Sequence, residues 1–318
     1  MTRAYEPGGV IPACLLPFDQ DLAIDERAYR AHLEDLVAVR GITAITTNAH
    51  ASEVHALTFD EQRRVLAVTK ETLGDRVATV AGVFTNGSLE AARIARMAQD
   101  EGVDCLLVFP PDMMAWDAHM RPEMALEHFR RITDATDLPI ILFQYPLASR
   151  LMYPLPTLLE LCRRFSQIRA IKDFCGDGKL HERHIRELHA LARSVKVLST
   201  HSAWLMSSLV LGCDGLLSGA GSVIANLQVA LFEAVQAGDL KRAQAISDRI
   251  YPCTRAFYDA PLVDMHNRMK VALVHLGRLP AAHVRPPLVP LGTAEIGKIQ
   301  RCIDQAGLTP ETAYALVA

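Results

Sequence analysis

The residues best placed to do chemistry cluster around a lysine that closes an apolar run. In "AIKDFCGDG" (170–178) the chain passes from a strand-like segment through Lys172 into a glycine turn. Ile168, Ala170 and Lys172 share one face by the two-residue period of a strand, so if small Ala170 points into the interior, the lysine does as well. An amine in a partly dry pocket loses solvation of its charged form, its pKa falls, and the neutral form can attack a carbonyl carbon. Lys172 is therefore the candidate nucleophile for a Schiff base with a 2-oxo acid. The competing role is structural: a lysine that snorkels to a rim or pairs with Asp173 or Asp177.

Other chemical motifs are weaker. "HERH" (181–184) lacks the spacing of HExxH, which sets two imidazoles on one helical face, so no metal is expected. "SGAGSVIAN" carries Gly-x-Gly after a strand, but Ile224 stands three positions beyond Gly221 and no acidic partner follows, so no nicotinamide cofactor is expected either. The methionine spacing in "DMHNRMK" (264–270) suits a helix face better than a cofactor box.

Something must hold Lys172 in place, and the chain has the means. Its 318 residues are 50% hydrophobic and 22% charged, enough for one large core. With 33 basic and 36 acidic residues and no long run of one sign, it has no footprint for nucleic acid, and a small solute is the natural partner. Seven scattered cysteines without CxxC pairs read as reduced, packed thiols, and no stretch approaches the roughly 18 apolar residues of a membrane span. The expected location is cytoplasmic, with no membrane partner.

Short apolar runs alternate with helical patterns throughout. Strands are expected at 9–18, 42–47, 76–83, 103–111, 138–146, 168–174, 195–200 and 213–221. Between them, Asp25 caps a helix to Arg40, Thr58 and Glu61 form a capping box, and a helix opens at Ser88. The eighth strand precedes the helix "LQVALFEAVQAG", and helices over 240–256, 260–277, 293–306 and 310–316 follow. Eight βα units at this length predict a (β/α)8 TIM barrel over residues 1–238 with a C-terminal helical extension over 239–318. Catalytic side chains of such barrels stand at the C-terminal ends of the strands, where Lys172 falls.

Several phrases resemble one family. "IKDFCGDG" looks like the Schiff-base segment of the dihydrodipicolinate synthase / N-acetylneuraminate lyase family, and "GVIPACLLPFDQD", "NAHASEVHALTFDE", "AGVFTNGSLEA", "GCDGLLSGAGSVIAN" and "VRPPLVPL" resemble it in the same order. The likeness runs from about residue 8 to 308 and implies a class I, lysine-dependent aldolase or dehydratase on a barrel, assembled as a homotetramer of two dimers. Where that family carries Gly-Thr-Thr-Gly-Glu, this chain has Ala49, His50, Ala51, Ser52 and Glu53. The resemblance implies that backbone N–H groups of this loop, at His50 and Ala51, grip the substrate carboxylate, with Ser52 a further candidate for binding. The relay threonine is missing. Phe143 stands at the family's tyrosine position, and Tyr145, on the same strand face, can put a phenol into the same mouth. A second relay tyrosine is replaced near Pro111 and Asp112.

The expected proton-transfer residues are therefore Tyr145 and His50. Asp112, Phe143, Arg150, His201, Ser218 and Gly219 are candidates for binding, Arg150 toward a second carboxylate. With the Thr/Tyr/Tyr set broken, lysine biosynthesis is not the expected role. The reading is a Schiff-base lyase for pyruvate or another 2-oxo acid, with a 2-keto-3-deoxy sugar acid dehydratase or a non-catalytic binding barrel as alternatives.

Overall fold

The computed structural model describes residues 5–312. Eight strands form one parallel sheet: β1 (Gly9–Pro12), β2 (Ala44–Thr47), β3 (Ala78–Val83), β4 (Cys105–Val108), β5 (Ile140–Gln144), β6 (Ile168–Asp173), β7 (Lys196–Ser199) and β8 (Gly215–Ser218). Their order, β1-β8-β7-β6-β5-β4-β3-β2, leaves β1 beside β2. Bridges Val10 to Ile42 and Ala13 to Thr46 close that seam, and the Cys14 N–H donates to the Thr46 carbonyl at 2.8 Å. The (β/α)8 barrel expected from the repeat is the observed fold. At the β1–β8 pairing a Cβ on Gly215 would lie 2.1 Å from the Gly9 carbonyl oxygen, so the close approach needs glycine.

Helices α1 (Glu26–Val37), α2 (Phe59–Leu73), α3 (Ser88–Asp100), α4 (Pro122–Thr133), α5 (Leu155–Arg164), α6 (Gly178–His189), α7 (Leu205–Val210) and α8 (Gly221–Gln236) cover the outside. Their starts follow side-chain chemistry. Asp25 accepts from the Ala28 N–H at 2.9 Å, the Thr58/Glu61 capping box is formed, and Asp177 accepts from the Leu180 N–H at 2.7 Å. Helix α8 begins at Gly221 rather than Leu227. Its first turn is kinked at Ile224 and stitched to β1, Ser222 Oγ donating to the Ala13 carbonyl at 2.7 Å and accepting from the Leu15 N–H at 3.1 Å.

The tail folds as α9 (Leu240–Phe257), α10 (Met265–His275) and α11 (Thr293–Gln305). Of the helix expected over 310–316, residues 310–312 form a turn and 313–316 lie outside the described residues. Ile246, Phe257, Met269, Leu273 and Ile299 join the same apolar core as the barrel strands. A polar anchor fixes α10 over the C-terminal mouth. The Lys270 ammonium, fully buried, pairs with Glu53 in the loop after β2 and donates to the His283 carbonyl at 2.8 Å. The Arg285 N–H completes Glu53 at 2.9 Å, and its guanidinium binds Glu61. All seven cysteines are unpaired, and among the described residues no helix is long and apolar enough to cross a membrane.

Candidate active site

At the end of β6, Lys172 lies between Phe143 of β5 and Leu198 of β7. Its side chain is 7% exposed, and among the described residues it has neither an ion-pair partner nor a hydrogen bond. Burial alone lowers its pKa from the ordinary 10.5 to about 7. The Phe143 ring stands 4.4 Å from Nζ, and a cation over such a ring gains ~0.5–2 kcal/mol. The desolvation behind a value near 7 is worth roughly 5 kcal/mol, which outweighs the ring contact and leaves about half of the amine neutral near pH 7.

The amine opens into a cavity of about 230 Å³. On the barrel side its wall is His50, Phe143, Tyr145, Thr200 and Gly219, with Pro146, Ser149 and Phe174 from the loops after β5 and β6. The opposite wall comes from the C-terminal helices through Tyr258, Leu262, Met265 and His266. A Cβ on Gly219 would sit 3.1 Å from His266 Nε2, which shows how tightly the two walls meet.

His50 and Tyr145 share a hydrogen bond through Nε2 and the phenol oxygen. Phe84 and Phe109 pack edge-on against the imidazole, their centroids 5.3 and 4.7 Å away. Burial, aided by the Lys172 and His55 charges, lowers the His50 pKa to about 3, so the imidazole is neutral. Burial also pushes the Tyr145 phenol up, with Asp112 adding to the shift. The loop that presents His50 is held by its backbone. Asn48 and Glu53 both adopt left-handed φ (51° and 52°), and Asn48 Nδ2 donates to the Gln62 carbonyl at 2.9 Å. Gly82 permits the packing beneath, since a Cβ there would lie 1.9 Å from the Asn48 carbonyl oxygen.

Other expected residues stand elsewhere. Ala51 is buried in the short turn His50–Ser52 and its side chain does not line the cavity; Ser52 Oγ turns toward β1, donating to the Cys14 carbonyl at 2.8 Å. Asp112 is exposed beyond the wall, its N–H donating to Asn86 Oδ1 at 2.7 Å. Arg150 is exposed, with φ 58°, and its guanidinium lies 4.0 Å from Asp117, because the turn after β5 carries it to the outer side of that loop. Ser218 sits beneath the wall, Oγ 3.3 Å from that of Ser202, and both support the Tyr258 phenol, which also accepts from the Ala220 N–H at 3.2 Å.

His201 belongs to a separate buried cluster. It stacks on Trp204 and reaches Cys175 Sγ at 3.8 Å. Asp173, on the strand face opposite Lys172, accepts from Nδ1 of His181 at 2.8 Å and of His184 at 2.7 Å, which is what the "HERH" spacing builds. Burial would raise the Asp173 carboxyl, but these hydrogen bonds and His201 outweigh it and hold it well below the usual carboxylate range. Asp173, Cys175, His181 and His201 offer donor atoms within 4.8 Å of one another, a set with metal-binding chemistry off the cavity. Hydrogen bonds from the two imidazoles and from the Cys175 N–H at 2.9 Å already engage both carboxylate oxygens.

Thr200, Tyr258, Met265 and His266 are cavity residues that sequence reasoning did not select. The only signal was "DMHNRMK", which puts Met265 and His266 side by side at the start of α10.

Comparison with known proteins agrees with this architecture. The dihydrodipicolinate synthetase family model matches residues 6–306. The chain is 30% identical to 4-hydroxy-tetrahydrodipicolinate synthase of Bartonella henselae, covering 95% of this chain and 99% of that one. It is 27% identical to an uncharacterized DapA-like lyase of Pyrobaculum islandicum, over 94% and 98%. Among solved structures, YagE, a prophage protein from E. coli K12 of the dihydrodipicolinic acid synthase family in complex with pyruvate, superposes with a TM-score of 0.87 at 23% identity, covering 95% and 99%. Dihydrodipicolinate synthase from Aquifex aeolicus gives 0.83 at 23% identity, covering 95% and 98%. A barrel with a lysine at the mouth, and a family match over nearly its whole length, lead to one conclusion: this chain belongs to the dihydrodipicolinate synthetase family.

Proposed function

We propose that the protein is a lyase that binds a 2-oxo acid as a Schiff base on Lys172. One observation carries the reading: a buried amine without a counter-charge, with its pKa near 7, faces a cavity at the C-terminal mouth of the barrel. The pyruvate named with YagE supports a 2-oxo acid as the ligand class.

The neutral amine attacks the C2 carbonyl, water leaves, and the protonated imine draws electrons from the C3 side. The substrate carboxylate rests on the first N–H groups of the turn His50–Ser52, which a short helix leaves without intrahelical acceptors. Tyr145, hydrogen-bonded to neutral His50, moves the proton that the family's missing tyrosine would carry. Phe143 at the usual tyrosine position speaks against lysine biosynthesis. The assembly proposed is a homotetramer, and the compartment the cytoplasm.

The test is reductive trapping. Pyruvate with borohydride is expected to add one reduced adduct, mapped by peptide mass to Lys172, and Lys172→Ala is expected to abolish it together with turnover. Full turnover by Lys172→Ala would end the imine reading. Product analysis separates C–C cleavage from loss of water.

A further inference from the structure

Beyond the amine the cavity is walled largely in carbon. We infer, on the basis of the imine reading above, that the substrate is a 4-hydroxy-2-oxo acid with an aromatic C4 substituent, selected by the wall that the C-terminal helices contribute.

The first argument is charge. Among the cavity residues Lys172 is the only lysine, arginine or carboxylate side chain, and the imine consumes it. His50 and His266 both face the cavity as neutral imidazoles, their pKa values lowered first by burial and then by nearby positive charges, Lys172 among them. Arg150, the residue expected to hold a second carboxylate, is exposed and directed toward Asp117. A second carboxylate in this cavity would be desolvated without a partner, a cost of several kcal/mol at least.

Hydrogen-bonding capacity is the second. The Tyr258 phenol is engaged by Ser202, Ser218 and the Ala220 N–H. Tyr145 spends one hydrogen bond on His50 and keeps one position, for the C4 hydroxyl whose proton the pair takes. Ser149 Oγ donates to the Pro146 carbonyl at 2.6 Å and accepts from the Leu151 N–H at 3.2 Å. Besides that one position only Thr200 and His266 remain among the cavity's polar side chains, few for a polyhydroxylated chain, whose further buried hydroxyls would go unpaired. The faces of Phe143 and Phe174 on one side, and of Tyr258, Leu262 and Met265 on the other, suit a flat apolar ring. A volume of about 230 Å³ equals on the order of eight waters, more than a three-carbon oxo acid fills.

The chemistry balances without a redox partner. Lys172 and the C2 ketone form the protonated imine and release water. The His50–Tyr145 pair takes the C4 hydroxyl proton, the C3–C4 bond breaks, its electron pair enters the imine to give an enamine, and the aromatic aldehyde leaves. The proton returns to C3, and water hydrolyses the imine to pyruvate and free amine.

The test runs the full chain in the synthetic direction with pyruvate and benzaldehyde, glyceraldehyde or glyoxylate, with borohydride trapping of the pyruvate adduct in parallel. The expected result is an adduct on Lys172 and a kcat/KM for benzaldehyde at least tenfold above the other two. An adduct with equal or reversed preference, or with no turnover of any aldehyde, overturns this inference and leaves the imine standing; absence of the adduct overturns both. Leu262 is 40% exposed, so Leu262→Arg adds a cation to the wall without disturbing the core. That variant is expected to lower the benzaldehyde to glyoxylate ratio at least tenfold, and an unchanged ratio would remove the helical wall as the selector.

Discussion

His50 of the loop after β2 and Tyr145 at the end of β5, 95 residues apart, are joined by a hydrogen bond within one aromatic enclosure beside Lys172. In the proposed mechanism Tyr145 Oη and His50 Nε2 therefore act as one proton-handling unit rather than as two rival candidates. Tyr145→Phe and His50→Gln are each expected to lower kcat by about 10²–10⁴ while the pyruvate adduct still forms. The double variant should be little slower than the worse single one, because residues that act as a unit are not additive. Steady-state kinetics of the four proteins decide this; multiplicative losses would show that the two act separately.

The amine sets a pH dependence of defined sign. In the proposed imine chemistry only neutral Lys172 attacks, and its pKa is lowered by burial to about 7, so the rate of pyruvate and borohydride trapping should rise through about pH 7 and level off above it. A rise centred near 10 would mean an amine in bulk water. Single-turnover trapping between pH 5.5 and 9 reads the midpoint.

Helix α10 is held over the mouth by the Lys270–Glu53 pair, with both side chains almost fully buried. Lys270→Met leaves the Glu53 carboxylate without its cation and should cost about 3–5 kcal/mol. Lys270→Met combined with Glu53→Leu should recover part of that loss, though not all, because the Arg285 N–H then loses its acceptor. Urea unfolding of the two variants and the wild type measures the difference.

Two glycines should respond differently to alanine. At Gly82 the new methyl would meet backbone 1.9 Å away, under the loop that carries His50, so Gly82→Ala should cost about 1–3 kcal/mol or more and lower kcat. At Gly219 it would meet the end of the His266 side chain at 3.1 Å, so Gly219→Ala should raise KM with a smaller loss of stability. Thermal melts paired with kinetics compare them.

Much of this was legible along the chain because it depends on local order. Apolar runs alternating with helical patterns specify parallel strands covered on both faces, and the caps at Asp25 and Thr58 are set within three residues. The two-residue period of β6 sends Lys172 to one face and Asp173 to the other, and the structure places them so. Arg150 and His201 show where such reasoning stops: both follow strand ends, yet the turn after each strand directs the side chain away from the cavity. Loop direction depends on packing that no spacing rule encodes.

The amino-acid order alone therefore determined the barrel and the inward lysine, since these follow from backbone periodicity and residue type, while the broken relay was implied by the resemblance to the family. Tertiary structure decided the rest: the contact between His50 and Tyr145, the burial that lowers the amine's pKa, and the seating of α10 that brings Met265 and His266 opposite Lys172. Those relationships join segments about 100 residues or more apart, and they exist only once closure of the barrel and the Lys270–Glu53 anchor fix the distances between them.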